Sequence, residues 1–135
     1  KKLFKKNHLF DISESNDFLE EITQENILLL YFDTIADFYS VEWDNKEYLL
    51  CKYIGVSALL SLLELIVKDL KQNGITVVDD AGLRVQKENL NPYIEKLRVY
   101  DFSAKAEKAS GKTYVGEAGA NDMFKKISAI VFPSL

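Results

Sequence analysis

Cysteine is nearly absent. Cys51 is the only one in 135 residues, so the chain can close no internal disulfide and build no cysteine-rich zinc site. This usage fits a reducing compartment. Histidine is equally scarce: His8 stands alone, which excludes a multi-histidine metal centre. A Cys/His nucleophilic pair would need His8 beside Cys51 and a third group to orient it. Cys51 falls in an expected strand and is read as a small core hydrophobe instead. There are two prolines and six glycines, too few for a low-complexity or collagenous chain. No apolar run reaches the length of a membrane span. The richest, Ala58–Val67, is interrupted by Ser61 and Glu64.

What remains is ordinary globular material: 47% hydrophobic, 28% charged and 12% aromatic, too apolar for intrinsic disorder. The length corresponds to one domain. The formal net charge is -4, unevenly spread. Lys1, Lys2, Lys5 and Lys6 crowd the start. Setting them aside leaves 13 basic and 21 acidic residues, a balance of -8. An acidic body repels phosphate backbones, so no nucleic-acid partner is expected, and no membrane partner either. Residues 1–14 read as a basic stub before a single domain at 15–135.

The apolar pattern predicts a helix from Ser15, with Phe18, Leu19 and Ile22 on one face and a second cap or break at Thr23. The run Ile27–Phe32 fits a buried strand or a buried helix. Asn26, Asp33 and Asp37 form a polar stripe at helical spacing, which favours helix. Phe38–Trp43 and Glu47–Tyr53 are rich in β-formers around Asp44-Asn45-Lys46, so a hairpin is expected. Ser57 can cap the strongest helix, about 58–72, whose polar stripe is Ser57, Ser61, Glu64, Lys68 and Lys71. Asn73-Gly74 is a stop signal for it. A second hairpin is expected from Ile75–Val78 and Leu83–Gln86 across a link with Gly82. Asn91 caps a short helix with Pro92 first, and Arg98–Phe102 reads as a strand. Residues 103–121 are light in bulk and rich in glycine, and read as a mobile segment. Asp122 opens a last helix that Pro133 ends, with Met123, Phe124, Ile127, Ile130 and Val131 facing inward. The expected fold is therefore α+β: helices packed on one face of a small antiparallel sheet built from two β-hairpins.

No motif supplies chemistry. Gly111-Lys112-Thr113 ends like a phosphate-binding loop, but Ala106 stands where that loop needs its first glycine. The helix-then-hairpin order of residues 56–85 matches the end of a winged helix. An almost wholly apolar helix surface and Asp79 and Asp80 at the wing tip argue against reading DNA. Carboxylates at turns are normally solvated, and these lack calcium-loop spacing. No enzyme activity and no cofactor is expected.

The functional expectation is a protein-binding module: a small acidic inhibitor, such as a bacterial immunity or antitoxin protein, that covers a basic partner in the cytoplasm. Glu42, Asp44, Asp79 and Asp80 would steer the partner, Glu47 is a further partner-binding candidate, and Trp43, whose alternation with Tyr39 and Val41 favours burial, is the aromatic one. The alternatives are a small-molecule-binding domain or enzyme with an apolar pocket between helix and sheet, and a subunit of a larger assembly that partly covers helix 58–72.

Overall fold

The computed structural model describes residues 17–75, 78, 79, 82, 83, 85–105 and 116–133; of residues 17–24, 78, 79, 82 and 83 it describes the backbone alone. The basic stub, the Gly-Lys-Thr segment and His8 lie outside these residues.

The chain is helical, and the α+β expectation is overturned. Four helices are described: α1 (Asp17–Phe38), α2 (Tyr53–Gln72), α3 (Lys87–Leu97) and α4 (Gly116–Val131). Strand pairing among the described residues is confined to a ribbon of two residues against two, Val78 with Leu83 and Asp79 with Gly82, and one isolated bridge, Tyr48 with Ser103. Among the described residues there is no sheet beyond this two-stranded ribbon for helices to cover.

The first hairpin fails because burial overrides β propensity. Ile27, Tyr31, Ile35 and Tyr39 recur every fourth residue and are all buried, which is the inward stripe of a helix. Winding continues past Phe38: the Tyr39 amide donates to the Ile35 carbonyl at 2.9 Å and that of Trp43 to Tyr39 at 2.8 Å. The Asp44-Asn45-Lys46 turn does form, with Asp44 at φ 59°. Asn45 Oδ1 accepts the Glu47 amide at 2.9 Å. The turn joins two helices rather than two strands. Thr23 interrupts nothing, and buried Thr34 satisfies its hydroxyl on the Leu30 carbonyl at 2.7 Å.

α2 begins earlier than Ser57 suggested, and Gly55 sits in its first turn. Leu59, Leu62, Leu63, Ile66, Val67 and Leu70 are buried, each contributing about 1.5–3 kcal/mol by leaving water. The expected stop is present. Gly74, at φ 81°, donates to the Lys71 carbonyl, and Ile75 to that of Leu70 at 2.9 Å, the paired bonds of a Schellman cap.

α3 also starts earlier than expected. The Gln86 amide donates to Asn89 Oδ1 at 2.8 Å, so Pro92 lies inside the helix and supplies no N–H to the Glu88 carbonyl. Leu90, Ile94 and Leu97 face the core. The last helix opens at Gly116 rather than Asp122, with Gly119, Ala120, Met123, Ile127 and Val131 buried. Of the segment expected to be mobile, residues 106–115 lie outside the described residues.

α2 packs on α4, α1 on α3, and α3 on α4. Tyr31 joins α1 to α2 by donating its hydroxyl to the Leu59 carbonyl at 2.7 Å. Tyr93 on α3 donates to Asp69 Oδ2 on α2 at 2.6 Å. A single apolar cluster runs through all four helices.

Candidate functional site

Four of the six residues singled out for partner binding lie together on the α1–α2 connection: Glu42, Trp43, Asp44 and Glu47. The connection meets the segment after α3. The Leu49 amide donates to the Phe102 carbonyl, and the Ala104 amide to that of Glu47, both at 2.8 Å. These bonds flank the Tyr48–Ser103 bridge. Residues 98–102 thus pair with the connection through their end alone, and the expected strand there does not form.

Beneath this junction lies an aromatic and ionic cluster. Tyr39 and Phe102 meet edge to face with ring centroids 5.5 Å apart, and Phe102 and Tyr100 at 4.7 Å. Arg98 lies over the Tyr39 ring, its Cζ 4.4 Å from the centroid. The same guanidinium reaches Glu42, with Nη2 2.7 Å from Oε2. Burial raises the Tyr39 hydroxyl well above the usual tyrosine range, against the opposing pull of Arg98.

Each carboxylate therefore has a distinct position. Glu42 does not project to a partner: its side chain is only 13% exposed, and one oxygen is committed to Arg98. Its other oxygen, Oε1, is buried without a hydrogen-bond partner. Asp44 and Glu47 are exposed. Trp43 is half-buried, 6.3 Å from Phe32 between ring centroids. Asp79 has its backbone paired with Gly82; its carboxylate and Asp80 lie outside the described residues. Cys51, expected in the core, is exposed instead, because no strand forms to turn it inward.

Sequence reading missed Arg98, Val41 and Val99. Val41 and Val99 adjoin Glu42 and Arg98 in sequence and are each 76% exposed. A basic residue directly after a helix suits its negative end, which is the one local signal at Arg98. Nothing local links position 98 to position 42.

The apolar positions of α2 are largely buried within the chain, and among the described residues the expected pocket between helix and sheet has no sheet larger than the two-stranded ribbon to lie against. Among the described residues no three of His, Cys, Asp or Glu stand close enough to hold a metal, and no helix is long and apolar enough to cross a membrane. The chain matches no family model, curated protein or solved structure.

Proposed function

We propose that this chain is an acidic protein-binding module that recognises a basic partner protein, in the manner of an immunity or antitoxin-type inhibitor. The observation that carries the reading is the pair Val41 and Val99. Two large apolar side chains stand in water at the positions adjoining ion-paired Glu42 and Arg98 in sequence. The exposed carboxylates Asp44, Glu47 and Asp101 lie within a few residues of them. Exposed apolar anchors with carboxylates near them in sequence suit a protein surface that offers both apolar and basic groups. The acidic excess of the chain beyond its first six residues would steer such a partner at long range. Glu42, held by Arg98, is assigned to shaping the surface, and Asp44 and Glu47 to contacting the partner. Inhibition would follow from covering the basic surface on which the partner acts. The reading places the protein in the cytoplasm, where an exposed lone thiol such as Cys51 persists in reduced form.

The test compares tagged wild type with a variant carrying Val41→Ser, Val99→Ser, Asp44→Asn and Glu47→Gln, both verified as folded by circular dichroism. Each is used to co-purify partners from the native host at about 0.15 M salt. Wild type retains a basic protein that elutes as salt rises, and the variant loses it. Equal recovery of that protein by the variant overturns the proposal.

A further inference from the structure

Two limbs meet at the junction, and they are held unequally. The α1–α2 connection is fastened to the helices. Leu50 is buried, and Trp43 lies against Phe32. The Leu49 carbonyl packs on the first turn of α2, against Gly55, where a Cβ would collide with it. The limb after α3 is held more lightly. Winding carries on to Tyr100, whose amide donates to the Leu97 carbonyl at 2.9 Å. Beyond it the chain is extended, and of residues 101–105 Phe102 alone is buried. Phe102 is seated edge to face against Tyr39 and Tyr100. Two backbone hydrogen bonds tie this stretch to the other limb, from Leu49 to Phe102 and from Ala104 to Glu47. A third bond is internal and survives parting: the Ser103 amide donates to Asp101 Oδ1 at 2.9 Å. One buried side chain and a pair of backbone bonds among exposed residues place the stretch at the low end of local stability.

We infer that residues 101–104 form a strap that swings open as one unit about Tyr100 while the four helices stay packed. Phe102 is its anchor. With the strap shut, Phe102 and Tyr39 are each about 1% exposed. Opening breaks the two backbone bonds and the Tyr39–Phe102 contact together. It leaves the Tyr39 hydroxyl on the Leu97 carbonyl, because Leu97 belongs to α3. The open state thus presents aromatic faces that the shut state hides. The strap needs no partner to open, so it stands apart from the protein-binding reading.

Native-state hydrogen exchange of the isotope-labelled full chain reads the opening amide by amide. The Leu49 and Ala104 amides report the strap. Those of Leu63 and Ile66, in the buried body of α2, report the whole fold. Leu49 and Ala104 exchange with one shared opening constant, at least about tenfold larger than that of Leu63 and Ile66. Ile127→Val in α4 loosens the core and speeds Leu63 and Ile66 about fivefold, and it leaves Leu49 and Ala104 unchanged. Phe102→Leu trims the anchor and speeds Leu49 and Ala104 about tenfold. Unequal opening constants for Leu49 and Ala104 overturn the strap, as does an unchanged rate in Phe102→Leu. Acceleration of all four amides by one factor in Ile127→Val overturns it too, because the stretch would then part only when the whole chain unfolds. That last comparison decides the matter even if Phe102→Leu does not fold.

Discussion

The hydroxyl of Tyr39 donates to the carbonyl of Leu97 at 2.9 Å, fastening the residue after α1 to the last residue of α3 through a buried hydrogen bond. A second carbonyl, of Tyr100, lies 3.5 Å from the same oxygen. Tyr39→Phe keeps the ring against Phe102 and Arg98 and removes one of the two donors to the Leu97 carbonyl, which still accepts the Tyr100 amide at 2.9 Å. Loss of one such hydrogen bond, with the carbonyl still paired, costs about 0.5–1.5 kcal/mol. The urea midpoint therefore falls while the denaturant slope is unchanged. An unchanged midpoint would show that water replaces the hydroxyl.

Three tyrosines predict an alkaline limit to stability. Burial raises the hydroxyls of Tyr31, Tyr39 and Tyr93, and for Tyr93 the hydrogen bond to the Asp69 carboxylate adds to it. In the unfolded chain tyrosine ionises near pH 10, as a rough reference. Above that pH the native state holds protons that the unfolded state releases, so stability falls as pH rises. Below it, both states are protonated and these groups give no pH dependence. Urea midpoints measured from neutral to strongly alkaline pH show a decline starting near pH 10, and Tyr93→Phe makes it shallower. A decline of equal steepness in that variant would exclude Tyr93 as a cause.

Gly55 shows a contact deciding against propensity. A Cβ built on it would stand 1.9 Å from the carbonyl oxygen of Leu49. In an open helix, Gly→Ala gains about 1 kcal/mol. Here the backbone of the 49–52 turn would have to move away from the first turn of α2, and overpacking of this kind costs about 1–3 kcal/mol or more. The net effect of Gly55→Ala is destabilisation, read as a lowered melting temperature. A raised one would mean that the turn yields freely.

These contacts mark where sequence reading succeeded. The apolar run of α1, the body of α2 and its Asn73-Gly74 stop were legible because periodicity and capping are local properties. The sheet was misread at residues 38–53, where Tyr39, Val41, Trp43, Tyr48 and Tyr53 carry β propensity. The stripe Ile27–Tyr31–Ile35–Tyr39 continues through that boundary, and burial of Tyr39 against Phe102 and beneath Arg98 outweighs the preference of single residues. The grouping of Glu42 with Trp43, Asp44 and Glu47 was visible as adjacency. The commitment of Glu42 to Arg98 was not, because it joins residues 56 positions apart, and no local pattern records such a pairing.

Exposure of Cys51 predicts its reactivity. An accessible thiol reacts with a thiol-exchange reagent in the native state at a rate close to that of the denatured chain. One equivalent is expected without denaturant, and Cys51→Ser stays within about 0.5 kcal/mol of wild type, as an exposed substitution should. Reaction seen only after unfolding would place the thiol in the core.

The Glu42–Arg98 pair predicts an asymmetry. Arg98→Ala removes the cation over Tyr39 and strands a mostly buried carboxylate whose other oxygen already lacks a partner. Breaking a buried pair from one side costs about 3–5 kcal/mol. The 44% exposure of the Arg98 side chain scales this down, to about 1–2 kcal/mol. Glu42→Gln keeps an acceptor for the guanidinium and leaves no buried charge, so it costs less. Glu42→Gln therefore rescues part of the loss caused by Arg98→Ala when the two are combined, because the stranded charge is gone. A double-mutant cycle on urea midpoints measures that coupling. Strict additivity would mean that the ion pair contributes nothing, and that Arg98 holds the junction through its stacking on Tyr39 alone.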